Sequence, residues 1–196
     1  MKKNLYVASK NSGKIREYKK MLGDLDCKLL MQPDSIEVQE DGNTFRDNAR
    51  KKASQVSIQT KNYSIADDSG LCIDALGGNP GIYSSRFASD DQKRIERVLR
   101  ELNGKEKRSA YFIAHVCFSD PNGKIILEAE AKCLGNILFK PRGDDGFGYD
   151  PIFEEINSKL SFAEMDSDTK DFYSHRGKAL KKIIPGLIKI MNLRKL

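Results

Sequence analysis

The sequence predicts an α/β fold built on a mixed β-sheet flanked by helices, and three observations carry that prediction. Strand-like and helix-like segments alternate through the first half of the chain. Two apolar strands then flank Asp120-Pro121-Asn122-Gly123, a strong turn signal, and so form a long antiparallel hairpin. The chain closes on an amphipathic helix.

Leu5-Tyr6-Val7-Ala8 reads as the first strand, Ser9-Lys10-Asn11-Ser12-Gly13-Lys14 as a polar turn, and Ile15, Tyr18, Leu22 and Leu25 recur at near-helical spacing. Residues 27–31 form a second strand. Phe45, Ala49, Ala53 and Val56 share one helix face, with Thr44 placed to cap it. Residues 64–67 form a third strand that ends in an aspartate pair, Asp67-Asp68, ahead of Ser69-Gly70. Residues 74–88 are a long turn-rich loop, and Ile95, Val98, Leu99 and Leu102 mark another helix. The hairpin strands are residues 109–119 and 124–134. A second glycine-rich loop, residues 140–151, follows. Leu180, Ile183, Ile184, Leu187, Ile188 and Met191 define the closing helix, which Pro185 should kink or split because it lacks a backbone donor.

With 196 residues, the chain suits one domain, residues 1–196, large enough for a sizeable core in two lobes. No apolar run approaches the roughly 20 residues needed to span a bilayer, so no membrane role is expected. The start, Met1-Lys2-Lys3 and a few apolar residues, is too short for a signal peptide, and the protein is expected in the cytoplasm. Cys27, Cys72, Cys117 and Cys133 form no CxxC pair, which argues for reduced thiols rather than zinc. The net charge of +6 suits polyanions, but the basic residues are scattered and match no nucleic-acid-binding signature.

Five segments carry candidate chemistry. Adjacent aspartates repel, so Asp67-Asp68 fits a metal or acid/base site, although Asp, Ser and Gly also suit a solvated turn. The loop Ser9–Lys14 stands between strand and helix, where backbone donors and Lys14 cradle phosphate, or where the chain simply turns. It is no Walker A loop, since residue 8 is Ala and Ile15 follows Lys14. Glu37, Glu40 and Asp41 precede a helix, either as dipole-favoured charges or as oxygen ligands for Mg²⁺. Phe147-Gly148-Tyr149-Asp150 offers aromatic faces and a carboxylate to a nucleobase, or else anchors a loop. Lys170 and Ser174-His175-Arg176 offer donors to a base carbonyl or phosphate, or Ser174 caps a helix. His115, inside an apolar strand, reads as a core or surface residue.

In their order and spacing, VASKNSGK, EDGNTFRDNARKKA, ADDSG, LGGNPGIYSSRF, GFGYDPIF and SHRGKAL resemble the inosine triphosphate pyrophosphatase family, essentially from end to end. The resemblance implies cleavage of ITP, dITP and XTP to the monophosphate and pyrophosphate, which clears deaminated purines from the nucleotide pool. It implies a long mixed sheet with helices on both sides, two lobes about a central cleft, a homodimer and a Mg²⁺ requirement.

Roles follow by matching position. Asp68 matches the general base and a metal contact, Asp67 its acidic neighbour, and Glu40 the acidic position tied to Mg²⁺, with Glu37 close enough to leave that choice open. Ser9, Lys10, Asn11, Ser12, Gly13 and Lys14 match the triphosphate loop, and Lys52 a lysine near phosphate. Ser69, Phe147, Gly148, Tyr149, Asp150, Lys170, His175 and Arg176 match substrate contacts, with residues 147–150 the base-binding loop. Two departures stand out. Lys10 adds a charge beside the phosphate loop, and Asp144 and Asp145 would repel a triphosphate unless they face solvent or metal. The competing expectations are a pyrophosphatase for modified pyrimidine triphosphates and, in a different class, a basic nucleic-acid-binding domain.

Overall fold

A computed structural model describes residues 2–194; Met1, which opens the short N-terminal stretch, and the last two residues lie outside the described residues. Among the described residues, six strands form one sheet: β1 (Lys3–Val7), β2 (Cys27–Met31), β3 (Tyr63–Ile73), β4 (Ser109–Ser119), β5 (Ile125–Ile137) and β6 (Phe153–Glu155). Their spatial order is β2-β1-β3-β4-β5-β6. The described residues also form the helices α1 (Ser12–Leu22), α2 (Phe45–Thr60), α3 (Asp91–Glu101), α4 (Ser167–Tyr173) and α5 (His175–Met191). The sheet is mixed, as the sequence predicts. β1 pairs in parallel with β2 and β3, placing Leu5 opposite Leu29 and Tyr63. β5 pairs antiparallel with β6, placing Gly135 opposite Glu155.

The chain divides into two compact units. The first comprises Met1–Asp68, Ala114–Ala131 and Arg176–Leu196. Side chains alternate across a strand, so neighbours on β3 and β4 serve opposite faces of the sheet. Ile65, Val116 and Phe118 join a core with Tyr18 and Leu22 of α1 and Leu180 and Leu187 of α5. Ala66 and Cys117 join a second core with Ala49, Ala53 and Val56 of α2. Helices therefore cover both faces within this unit.

The second unit comprises Ser69–Ile113 and Lys132–His175. Its core gathers Leu71 and Ile73 of β3, Ile95 and Val98 of α3, and Phe112, Ile137, Phe153 and Phe162.

The structure redraws several sequence-based boundaries. β3 does not stop at the aspartate pair but runs through Asp67-Asp68-Ser69-Gly70 to Ile73, because the whole segment is needed for sheet pairing and burial. Asn11 caps α1, so helix begins at Ser12, inside the expected turn, and ends before Leu25. α5 starts at His175, five residues earlier than its apolar pattern indicates, and Pro185 does not split it. Packing holds that helix in place: a Cβ added at Gly186 would meet a Leu127 methyl at 2.9 Å. The loop at 74–88 is partly ordered as two short 3₁₀ turns, Asp74–Leu76 and Gly81–Arg86. The short elements β6 and α4 have too few periodic residues to be read from sequence. Among the described residues, no helix is long and apolar enough to cross a membrane.

Close approach of β5 and β6 leaves no space at Gly135, where a Cβ would lie 2.2 Å from the Glu154 carbonyl oxygen and 2.6 Å from the Phe153 ring. Gly135→Ala is expected to destabilise the protein by about 1–3 kcal/mol through overpacking. Urea unfolding measures this, and an unchanged midpoint would contradict the packing described.

Candidate active site

Strand alternation separates the two aspartates. Asp67 points to the side of the sheet covered by α1 and α5, and Asp68 to the side covered by α2. In the first unit, Asp67 is fully buried, and its Oδ2 accepts hydrogen bonds from Nε and Nη2 of Arg176, each at 3.1 Å. Lys14 Nζ lies 3.0 Å from the same oxygen. Nη1 of Arg176 donates to Glu17. Burial alone would raise the Asp67 pKa, but Arg176, Lys14 and Lys52 outweigh it and hold the carboxyl well below its ordinary range. Burial also lowers the Lys14 pKa, an effect that Asp67 opposes and that Lys52 and Arg176 reinforce. The guanidinium of Arg176, penalised by burial, is held charged by Asp67 and Glu17.

Asp68 has a different environment. Asn48 Nδ2 donates to its Oδ2 at 3.0 Å, and Lys52 Nζ lies 3.7 Å from its Oδ1. The same ammonium is 3.2 Å from Glu40 Oε2. Burial pushes the Asp68 carboxyl above its ordinary value; Lys52, Lys14 and the Asn48 bond pull it down, and Glu40 adds to the rise. The two neighbouring carboxyls are thus pushed in opposite directions, Asp67 down and Asp68 up. Glu40, rather than the exposed Glu37, is the acidic group beside Asp68.

The loop at 9–14 uses part of its polarity on itself. Asn11 Oδ1 accepts the Lys14 amide at 3.0 Å as the α1 cap, and the Asn11 amide donates to Ser9 Oγ at 3.2 Å. Ser12 opens α1, and Gly13 is buried. Exposed Lys10 donates to the Asp34 carbonyl at 3.0 Å.

In the second unit, Asp150 Oδ2 accepts from the Phe147 amide at 2.7 Å and from Lys170 Nζ at 2.6 Å, so this carboxylate organises its own loop. The Lys170 ammonium also stands 4.7 Å from the centre of the Phe147 ring. Gly148 donates to Asp91 at 2.7 Å, and Tyr149 donates its hydroxyl to the Ser84 carbonyl at 2.8 Å. Tyr149 is buried, which leaves half-buried Phe147 as the aromatic face of this loop. Gly146 is required here: its φ is +86°, and a Cβ would lie 2.2 Å from Asp150 Oδ2. The His175 ring stacks on Phe112 with centroids 4.7 Å apart. Ser69 is half-buried, and Asp144 and Asp145 are exposed to solvent.

His115, Cys117 and Glu128 place ligand-type atoms within 4.8 Å of one another. Arg46 and Arg50 already bind the Glu128 carboxylate, and burial and Glu128 push the Cys117 thiol up to about 12. This arrangement is an ion-pair network in which two guanidinium groups already satisfy one carboxylate, and a dication would have to displace them to enter it.

The first unit brings Lys14, Glu40, Lys52, Asp68 and Arg176 together; the second brings Phe147, Asp150 and Lys170 together. Sequence reasoning missed Asn48 and Glu17. The signal for Asn48 was its spacing of four residues from Lys52, which places both on one helix face.

The Ham1 family model matches residues 5–186. A relative from Prochlorococcus marinus subsp. pastoris, named dITP/XTP pyrophosphatase, is 65% identical over 97% of this chain and 100% of its own length. A Nostoc relative with the same name is 46% identical, covering 98% of both chains. A solved HAM1 protein from Coxiella burnetii is 36% identical and superposes with a TM-score of 0.85, covering 95% of this chain and 99% of its own.

Asp67→Asn removes the counter-charge of buried Arg176 and half-buried Lys14. It is expected to cost about 3–5 kcal/mol, the range for breaking a buried ion pair. The folded pKa lies below the unfolded one, so this stabilisation is present above the ordinary carboxylate range and is lost as pH falls through the folded value. Urea unfolding at neutral pH tests the cost, and a change under about 1 kcal/mol would contradict it.

Proposed function

This chain belongs to the Ham1 family, and from that membership we infer that it hydrolyses deaminated purine nucleoside triphosphates, dITP, ITP and XTP, to the monophosphate and pyrophosphate. Relatives sharing up to 65% identity over 95–98% of the chain and carrying the name dITP/XTP pyrophosphatase support this function, and they favour neither modified pyrimidine substrates nor a nucleic-acid-binding module. The observation that carries the chemistry is the arrangement around the aspartate pair, with Asp67 holding Lys14 and Arg176 and Asp68 set between Asn48 and Lys52 beside Glu40.

We propose Asp68 as the general base. It accepts a proton from the water that attacks the α-phosphorus as the bond to the departing pyrophosphate breaks. A triphosphate carries about four negative charges near neutral pH, and Lys14 and Lys52 offset them. Ser9 to Lys14 form the phosphate loop.

Glu40 and Asp68 are hard oxygen donors converging on one ammonium, a donor set that fits Mg²⁺ when phosphate supplies further oxygens. When bound, Mg²⁺ supplies charge neutralisation and acidifies water.

Phe147 stacks on the base, in a loop fixed by Gly148, Tyr149, Asp150 and Lys170. His175 and Arg176 read the 6-oxo group that distinguishes hypoxanthine and xanthine from adenine, Arg176 from a guanidinium that Asp67 and Glu17 already orient. Ser69 is a further substrate contact. A homodimer acting in the cytoplasm completes the proposal.

Incubation with ITP or XTP and Mg²⁺ is expected to release pyrophosphate; release of orthophosphate would contradict the assignment. Asp68→Asn is expected to abolish turnover while nucleotide binding persists. Lost binding with retained turnover per bound nucleotide would refute the role given to Asp68.

A further inference from the structure

We propose that Asn48 is a positioning residue for this reaction, its side-chain amide locking the Asp68 carboxylate and the loop that carries Glu40 into a single arrangement. The inference rests on the role of Asp68 as base.

Asn48 is fully buried on α2, one turn before Lys52, among the alanines of the α2 core. A buried amide is costly unless both of its ends find partners. Here both do: Nδ2 donates to Asp68 Oδ2 at 3.0 Å, and Oδ1 accepts the Gly42 amide at 2.8 Å.

The Gly42 amide can only donate, so it fixes the orientation of the side chain and obliges Nδ2 to face Asp68. Oδ2 of Asp68 is thereby held as an acceptor, and Oδ1 stands on the Lys52 side at 3.7 Å. The other end of the amide ties down the loop two residues beyond Glu40. Contact there is close, since a Cβ at Gly42 would lie 2.7 Å from Asn48 Oδ1. Thr44 and Asp47 exchange hydrogen bonds at the start of α2 and fix the loop to the same helix. One side chain thus couples the base to the second acidic group.

Two substitutions separate the ends. Asn48→Asp keeps an acceptor for Gly42 and removes the donor to Asp68; Asn48→Ala removes both. With ITP and Mg²⁺, each is expected to lower kcat at least about 30-fold with KM within about threefold, since small displacements of a reacting group cost rates of this order. Thermal melts identify folded variants. Should either variant fail to fold, Gly42→Ala displaces the amide without removing it, and the same fall in kcat is expected.

Folded variants that keep kcat within about threefold of the parent protein, or whose loss lies in KM alone, would overturn the inference. Asp68→Asn is assayed alongside. If it keeps turnover, the base assignment fails and this inference with it; if only Asp68→Asn loses turnover, the inference alone fails.

Discussion

A buried negative charge, the Asp67 carboxylate, is the constraint on which the first unit depends. An uncompensated carboxylate inside a protein is unaffordable, so its partners must be present whenever the chain is folded. They come from α1, through Lys14, and from the first turn of α5, through Arg176. Those helices are drawn to β3 by the apolar core beneath them and also by this charge. Glu17 then answers the second edge of the guanidinium, so the network extends along α1.

The functional consequence follows from strand geometry. Neighbours on β3 face opposite sides of the sheet, and a dipeptide that looks self-repelling in sequence becomes two carboxylates in unlike surroundings. Asp67 has abundant positive charge and stays ionised. Asp68 has Lys52, an amide and the charge of Glu40, and its affinity for a proton rises. Lys14 and Lys52 remain close enough to influence both, and under the function proposed above polyphosphate at Lys14 would compete with Asp67 for it. The resting site already contains the cation–carboxylate balance that a substrate would rearrange.

Much of this was legible in the sequence because it is local. Alternation and period placed β1, α1, β2, α2 and the hairpin, and the glycines of residues 143–148 marked a loop. The fate of the aspartate pair was not legible, since turn-forming residues suggest an ending where tertiary pairing demands continued strand. The joining of Arg176 to Asp67 spans 109 residues and leaves no periodic trace. Asn48 was hidden differently: an asparagine on the inner face of a helix reads as a misplaced polar residue until its two partners are seen. The stacking of His175 on Phe112 likewise depends on contacts that no short window contains.

The opposed ionisation of the two neighbouring aspartates is tested most directly by carboxyl-carbon NMR titration of the metal-free protein, assigned with Asp67→Asn and Asp68→Asn. Asp68 is expected to titrate above the ordinary aspartate value of 3.8, and Asp67 to remain ionised well below it for as long as the protein stays folded. The reverse order, or two carboxyls titrating together near the ordinary value, would contradict the division of labour between them.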